Sequence, residues 1–419
     1  MEKDFWYMAE SRMQKLEAVA MYNSKMESKV NYLVGDNKIF NKSTIPYDNI
    51  ICEFLSEFSK ELMKNKISNK FPDIKTLAFW CREKNIINLK KKFESDKTRV
   101  GLGLIFHITP SNIPTNFAYS LIFGLITGNS NIVKVPSRKF EQISIICETL
   151  KKILKKEKFN LIKKMISIIR YKDNDNFTQK ISSLCNARLI WGGDETIKNI
   201  RAFKLQERSI DIAFADRYSF CLINSDKLLK LNNYETNQIA EKFYNDTYLV
   251  DQNACSSPHL IIWFGKNMKK ARFKFWNILH EKVKKKYDMP EIASINKFNQ
   301  LCKNILQFSN IKKQERFGNF IYTIMLKNLD KDPNNIKGKW GFFYEYETNN
   351  LEKIAKFINN KYQTLTYFGL EKEKLKKFLL NNSLSGIDRI VPIGQALEMS
   401  LYWDGYDINK TLSRVVEIK

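Results

Sequence analysis

The sequence predicts an α/β protein with two α/β domains in tandem, and three observations predict it. From about residue 100, apolar strand-like runs alternate with helical runs. Each run ends in a turn rich in Pro, Ser, Asn or Gly, and a second alternating series begins after residue 233. Repeated strand–helix units of this kind fold as a parallel sheet with helices on both faces.

In chain order, VGLGLIFHIT reads as a strand ending in a Pro/Ser/Asn turn, and NFAYSLIFGLITG as an apolar helix. NSNIVKVPS is a second strand, followed by the helix KFEQISIICETLKKILKK. ARLIWGG is a third strand closed by paired glycines, with the helix DETIKNIRAFK after it. In the second series, the helix NQIAEKFYNDTYL enters the polar turn DQNACSS. HLIIWFG is then a strand and KKARFKFWNILHEKVKKKY a long helix. A less regular stretch precedes GFFYEYE, the helix LEKIAKFINNK, TLTYFGL and RIVPIG. The domain boundary falls near INSDKLLKLNN, residues 223–233. The opening MEKDFWYMAESRMQKLEAVA is amphipathic and reads as helical, not as a secretory leader.

Composition sets limits on function. The chain of 419 residues is 43% hydrophobic and 13% aromatic, ample for packed cores in two domains. Its seven cysteines are odd in number and contain no CxxC, which argues against a disulfide framework or a zinc site, and no metal is expected. A cytoplasmic protein with reduced thiols is expected. The longest apolar run, FAYSLIFGLITG, is too short to span a bilayer. The net charge of +25 raises the question of a polyanionic partner. Clusters such as KKILKKEKFNLIKK place lysines between apolar residues at helical spacing, as a solvated helix face does. No nucleic-acid partner is therefore expected, although a basic surface would draw in phosphate-bearing ligands.

Three polar turns, after FHIT, after LIWGG and at DQNACSS, carry candidate chemistry, and open α/β sheets bind ligands at the carboxyl ends of their strands. All three turns are expected there. HITPSNIPTN sets Asn112 between two prolines that fix the backbone, although a helix N-cap reads equally from the residues. GNSNIVKVPSRK ends a strand on Lys134, either a ligand contact or a surface lysine. LIWGGDETI opens a helix with Gly192 and Gly193, whose backbone N–H groups suit a phosphate or merely allow a tight turn. DQNACSSPHLIIWFG carries Cys255 into an apolar strand.

Taken in order, these motifs resemble the aldehyde dehydrogenase superfamily. ITPSNIPTNFAYSLIFGLITGNSNIVKVPS, DRYSFCLI, DQNACSSPHLI and GIDRIVPIGQALEMSLYWDGYD are similar to the acyl-CoA or acyl-protein reductase family. Its best-known members make the fatty aldehyde of bacterial bioluminescence. The resemblance covers roughly residues 95–415; the first ninety or so carry no motif that can be placed. It implies an aldehyde dehydrogenase-like fold with two Rossmann-like domains and a small oligomerisation element. The expected bounds are 1–225 for the N-terminal region and cofactor domain, and 226–395 for the catalytic domain. Residues 396–419 would return to the cofactor domain or make an oligomer contact.

By the same resemblance, Cys255 is the nucleophile, Asn112 an oxyanion amide and Lys134 a cofactor ribose contact. Gly192 and Gly193 belong to the cofactor-binding turn. Two departures sharpen the expectation. The water-activating glutamate position of aldehyde-oxidising superfamily members falls on Phe214, which cannot act as a base, so a reductase or an acyl-transferring enzyme is favoured over a hydrolytic aldehyde oxidase. After Lys134, Ser137 and Arg138 stand where NAD-preferring members carry a glutamate, and NADPH is the expected cofactor. The family's nicotinamide-ribose motif is not recognisable near KGKWGFFYEYE.

The expected reaction is reduction of a fatty-acyl thioester, on CoA or a carrier protein, to an aldehyde through an acyl-cysteine. For that attack the site must lower the thiol pKa below its free value of about 8.5. An acyl-activating synthetase partner and a homo-oligomer come with the resemblance. The rivals are a Cys255-dependent acyltransferase or thioesterase without nicotinamide, and a nucleic-acid-binding protein on a degenerate dehydrogenase scaffold. His259 reads as a proton relay or a structural histidine. Asp388 and Arg389 read as acyl-channel residues or an internal ion pair, and the other six cysteines read mostly as core.

Overall fold

The computed structural model describes residues 30–38, 41–93, 97–172, 174–329 and 332–419; the amphipathic opening lies outside them. The chain forms two compact units, Met1–Ala215 with Asp407–Lys419, and Asp216–Tyr406.

The first unit is organised on a six-stranded sheet. Its strands are β1 (Asn31–Val34), β3 (Leu104–Ile108), β4 (Ser130–Lys134), β5 (Ile166–Arg170), β6 (Ala187–Trp191) and β7 (Ile210–Phe214), while β2 (Arg99–Gly101) lies apart. The order is β1-β5-β4-β3-β6-β7, parallel throughout except for β1. The chain winds outward through β3, β4 and β5, then returns to β6 and β7 on the other side. That reversal makes a topological switch point between β3 and β6, and sheets of this kind bind ligands beyond the carboxyl ends of the strands at such a point.

The apolar sequence explains this placement. All five residues of β3 are buried, as is every residue of the helix Asn116–Ile126, so neither carries an amphipathic stripe. Phe106, Ile108, Ile132, Ile169 and Ile190 share one core cluster. The unplaced N-terminal part contains the helices Asn49–Lys64, Pro72–Trp80 and Glu83–Phe93. The first buries Phe54, Leu55, Phe58 and Leu62, and exchanges ion pairs with the basic end of the Glu141–Ile153 helix, such as Lys152 to Glu61 at 2.5 Å. The strand Ser413–Val415 pairs antiparallel with β2, and Asn129 Nδ2 donates to the Leu412 carbonyl at 2.9 Å.

The second unit has a seven-stranded sheet. It comprises β8 (Tyr218–Asn224), β9 (Pro258–Phe264), β10 (Ile311–Phe317), β11 (Ile321–Leu326), β12 (Phe342–Thr348), β13 (Tyr362–Phe368) and β14 (Arg389–Pro392), in the order β10-β11-β12-β9-β8-β13-β14. Only β10 runs antiparallel. The helices Asn233–Thr247 and Met268–Lys286 bury Phe243, Phe275 and Trp276 with Trp263 and Phe343 of the sheet. The less regular stretch contains a 17-residue helix, Glu291–Gln307, and the β10–β11 hairpin. The helix exposes Ile292, Ile295, Ile305 and Leu306, so its apolar residues mark no single buried face. LEKIAKFINNK yields only one helical turn, Glu352–Ala355; the Asn359 side chain accepts from Lys361 N at 3.0 Å and turns the chain instead. Among the described residues, no helix is long and apolar enough to cross a membrane, and no three His, Cys, Asp or Glu side chains are grouped to hold a metal.

Candidate active site

The helix Asn233–Thr247 opens with a reciprocal capping box between Asn232 and Glu235 and passes through a short 3-10 turn into Asp251 and Gln252. Both have left-handed backbones, with φ of 52° and 59°. This strain persists because the buried Gln252 amide is fixed on every side. Its Nε2 donates to the Pro258 and Phe342 carbonyls at 3.0 and 3.1 Å, and its Oε1 accepts from Gly341 N at 3.1 Å. Three residues on, the Cys255 carbonyl accepts from Ser219 Oγ at 2.6 Å, and Gln363 Nε2 donates to Cys255 Sγ at 3.4 Å.

Ser219 and Gln363 lie near the starts of β8 and β13, and Cys255 just precedes β9. The Cys255 turn therefore lies at the amino edge of its sheet, which corrects the expectation of a carboxyl-edge crevice. A loop that leaves a helix and enters a parallel strand has no other place to be.

The segment that ends in LYWDGYD wraps back to this edge. Asp246 takes two backbone N–H groups, Gly394 N at 2.6 Å and Ala396 N at 2.9 Å. Arg389 donates to the carbonyls of Ala396, Gln395 and Glu398 at 3.1, 3.2 and 2.9 Å, and its guanidinium lies 4.5 Å from the Trp403 ring centroid. Held at Asp246 and Arg389, the segment delivers Asp404 to Gln363, whose Nε2 donates to Asp404 Oδ1 as well as to Cys255 Sγ. Asp388 pairs with Arg217 at 2.7 Å and not with Arg389.

Electrostatics at this edge hold protons in place. Burial pushes the Cys255 thiol up to about 12, reinforced by the Asp404 carboxylate and opposed by the Gln363 hydrogen bond. Burial also lifts Asp404 to about 6, against the pull of Gln363 and Arg217. The thiol is thus protonated at neutral pH, the reverse of the lowered pKa expected from the sequence. Desolvation outweighs the single amide donor.

The other expected site residues lie in the first unit. Lys134 ends β4, with its Nζ 4.8 Å from the Tyr171 ring centroid. Ser137 Oγ donates to the Tyr171 carbonyl at 3.2 Å, and the Arg138 guanidinium rests 4.9 Å from the Phe140 ring. Arg170, which the sequence reading missed, ends the neighbouring β5 and donates to the Pro136 carbonyl at 3.1 Å. Asn112 follows β3 and Gly192 follows β6, the two strands of the switch point. Gly192 N donates to the Phe214 carbonyl at 3.2 Å, and space is open around Gly193. Asp194 and Glu195 occupy the first turn of the next helix, so its N-terminus favours close backbone approach over a bound phosphate. Nearby in sequence, Asn116 Oδ1 is a buried acceptor without a hydrogen-bond partner. The switch point, with Lys134 and Arg170 ending the neighbouring strands β4 and β5, suits a nicotinamide dinucleotide.

The sequence matches the model of the acyl-CoA reductase (LuxC) family over residues 42–415. The chain belongs to the acyl-CoA reductase family. No curated protein matches it. Its fold is that of the aldehyde dehydrogenase superfamily, as solved structures show at low identity. An NAD-dependent benzaldehyde dehydrogenase from Corynebacterium glutamicum is similar with a TM-score of 0.59 at 10% identity, covering 89% of this chain and 85% of that one. Aldehyde dehydrogenase 21 from Physcomitrella patens gives 0.61 at 13%, covering 89% and 86%. A mutant of Proline Utilization A from Bradyrhizobium japonicum gives 0.61 at 14%; the match covers 40% of that longer chain and 85% of this one.

In this chain, Phe214 is buried and stacked on Trp191, so that position presents no base. His259 is buried against Tyr218, its Nδ1 accepts from Gly338 N at 3.3 Å, and burial drives its pKa down to about 3. It is a neutral structural imidazole. Cys81, Cys147, Cys185 and Cys221 are core thiols, but Cys302 is exposed and Cys52 half-buried, a correction to their reading as core. Cys302 lies on the same helix that exposes Ile305 and Leu306. Sequence reasoning singled out the C-terminal motif and gave alternative roles to Asp388 and Arg389 but none to Asp404; Gln363, Asp404 and Asp246 became visible only when the sheet edge brought them together.

Proposed function

We propose that this reductase converts a fatty-acyl thioester, carried by CoA or by a protein, to the aldehyde with NADPH, through an acyl thioester on Cys255. The observation that carries the reading is the Cys255 thiol itself, held by a pinned turn and touched by the Gln363 amide. Its sulfur attacks the acyl carbonyl and the carrier thiolate leaves. A nicotinamide dinucleotide held beside Lys134, Gly192 and Gly193 would supply the hydride for the acyl carbon. Asn112, on the strength of the resemblance, holds the oxyanion; one such donor is typically worth about 10²–10³ in rate. Collapse of the thiohemiacetal frees the aldehyde and returns the cysteine. Phe214 leaves no base at the position that activates water in aldehyde-oxidising superfamily members, which supports reduction over hydrolysis.

Lys134, Arg138 and Arg170 support NADPH over NADH, because a 2′-phosphate seeks cations. Ser137 would have to turn its hydroxyl from the Tyr171 carbonyl to join them. Gly192 and Gly193 would give the cofactor close backbone approach. An acyl-activating synthetase that supplies the acyl group, and self-association, belong to this proposal on the resemblance.

The test is oxidation of NADPH and NADH with acyl-CoAs of graded length, beside Cys255→Ala and Cys255→Ser. Full activity in the alanine variant would refute the acyl-cysteine.

A further inference from the structure

The reading of Cys255 as nucleophile leaves a problem that the structure poses and also answers. A half-buried thiol that keeps its proton attacks poorly, and neither His259 nor Phe214 can take that proton. One side chain connects the sulfur to a base: Gln363 Nε2 donates to Cys255 Sγ and to Asp404 Oδ1. Two acceptors that share one nitrogen stay within reach of a single bridging water. We propose that Asp404 is the acid–base residue of acylation, with Gln363 the residue that positions it against Cys255.

This rests on the acyl-cysteine reading. As the Cys255 S–C bond forms, the S–H bond breaks and its proton passes to the Asp404 carboxylate. As the C–S bond to the carrier breaks, Asp404 returns that proton to the departing thiolate. No net proton is consumed and no electron changes hands. Protonating Asp404 also removes the nearest negative charge at the moment the sulfur needs to become anionic. The charge therefore opposes the resting thiolate but not the attacking one.

The surroundings suit a carboxyl that titrates in the working range. Asp404 faces Arg217 and Arg389, which favour the ionised form, and Asp388, which opposes it. Cys255 also faces Asp216 and Arg217, while Asp246 and Glu398 face Arg389. Asp404 has φ of 48°, a conformation that Asn tolerates well, so Asp404→Asn removes the base without disturbing the backbone.

The experiment is acylation in a single turnover without cofactor. The full-length enzyme is mixed with the long-chain acyl-CoA it reduces fastest, quenched in acid, and released CoA is measured from about pH 5 to 8. The wild-type rate should rise through about pH 6, as Asp404 ionises. Asp404→Asn should acylate about 10²–10⁴-fold more slowly with that rise gone, and Asp404→Glu should regain part of both. Thermal melting reports whether each variant is folded. A wild-type burst that Asp404→Asn leaves equal or faster would overturn the assignment alone, since a purely repulsive carboxylate predicts that result. A wild-type enzyme that releases no CoA would overturn the acyl-cysteine reading and this assignment with it.

Discussion

The ring of Phe214 lies on that of Trp191, centroids 3.8 Å apart and planes 20° apart. Trp191 Nε1 donates to Ser120 Oγ at 3.0 Å, and Ser120 bonds His107 Nδ1 at 2.7 Å, so the stack is tied into the interior of the first unit. Phe214 is thus a built structural element of the first unit. Phe214→Ala should lower stability by about 3–5 kcal/mol, the usual loss for a buried phenylalanine, as read by urea unfolding. It should not speed hydrolysis of the acyl-enzyme, because it introduces no base; acid-quenched acyl-enzyme followed over time checks this.

Asp246 makes a pH prediction with a definite sign. Burial raises its carboxyl from 3.8 to about 7, against the two backbone N–H groups it accepts. Because the folded-state pKa is raised, the native state binds more protons than the unfolded chain between those values. Its contribution to stability is complete below about pH 4 and is lost as pH rises through about 7. Unfolding free energies from about pH 4 to 8 should show that the deficit of Asp246→Asn shrinks as pH rises. A constant deficit would contradict the assignment.

Arg389 is the other anchor of the segment that carries Asp404. Its fork serves three carbonyls that no single ammonium could reach together. Arg389→Lys should cost about 1–3 kcal/mol in unfolding free energy and should not behave as a conservative change. With the segment loosened, acylation should slow more than the stability loss explains; single-turnover release of CoA in variants still folded at the assay temperature measures this.

The first sheet was legible in the sequence because its strands are continuous apolar runs closed by Pro, Ser, Asn or Gly. LIFHI, NIVK and ARLIW show this pattern, and each falls on an observed strand. The Glu291–Gln307 helix was hidden by the apolar side chains it exposes, and β10 by its charged edge sequence IKKQERF. The thiol stood out because it interrupts a polar turn before an apolar strand. Gln363 and Asp404 did not, since their meeting depends on the register that sets Tyr362 beside Tyr218 and on a loop folding back over that edge. No local pattern encodes that.

Lys297 predicts the opposite pH trend to Asp246. It is fully buried on the Glu291–Gln307 helix, donates to the Asn319 carbonyl and lies 4.9 Å from the Tyr322 ring centroid. Burial lowers its ammonium from 10.5 to about 7. The unfolded chain therefore binds more protons between those values, and stability should rise with pH across that interval. Below about pH 7 both states carry the proton and the penalty for burying the charge is complete. Lys297→Met removes the titration while keeping a long flexible side chain of similar reach. Denaturant unfolding from about pH 6 to 10 should show the wild type gaining on the variant as pH rises. A difference that stays constant would mean the lysine is charged throughout, stabilised by its carbonyl and the face of Tyr322.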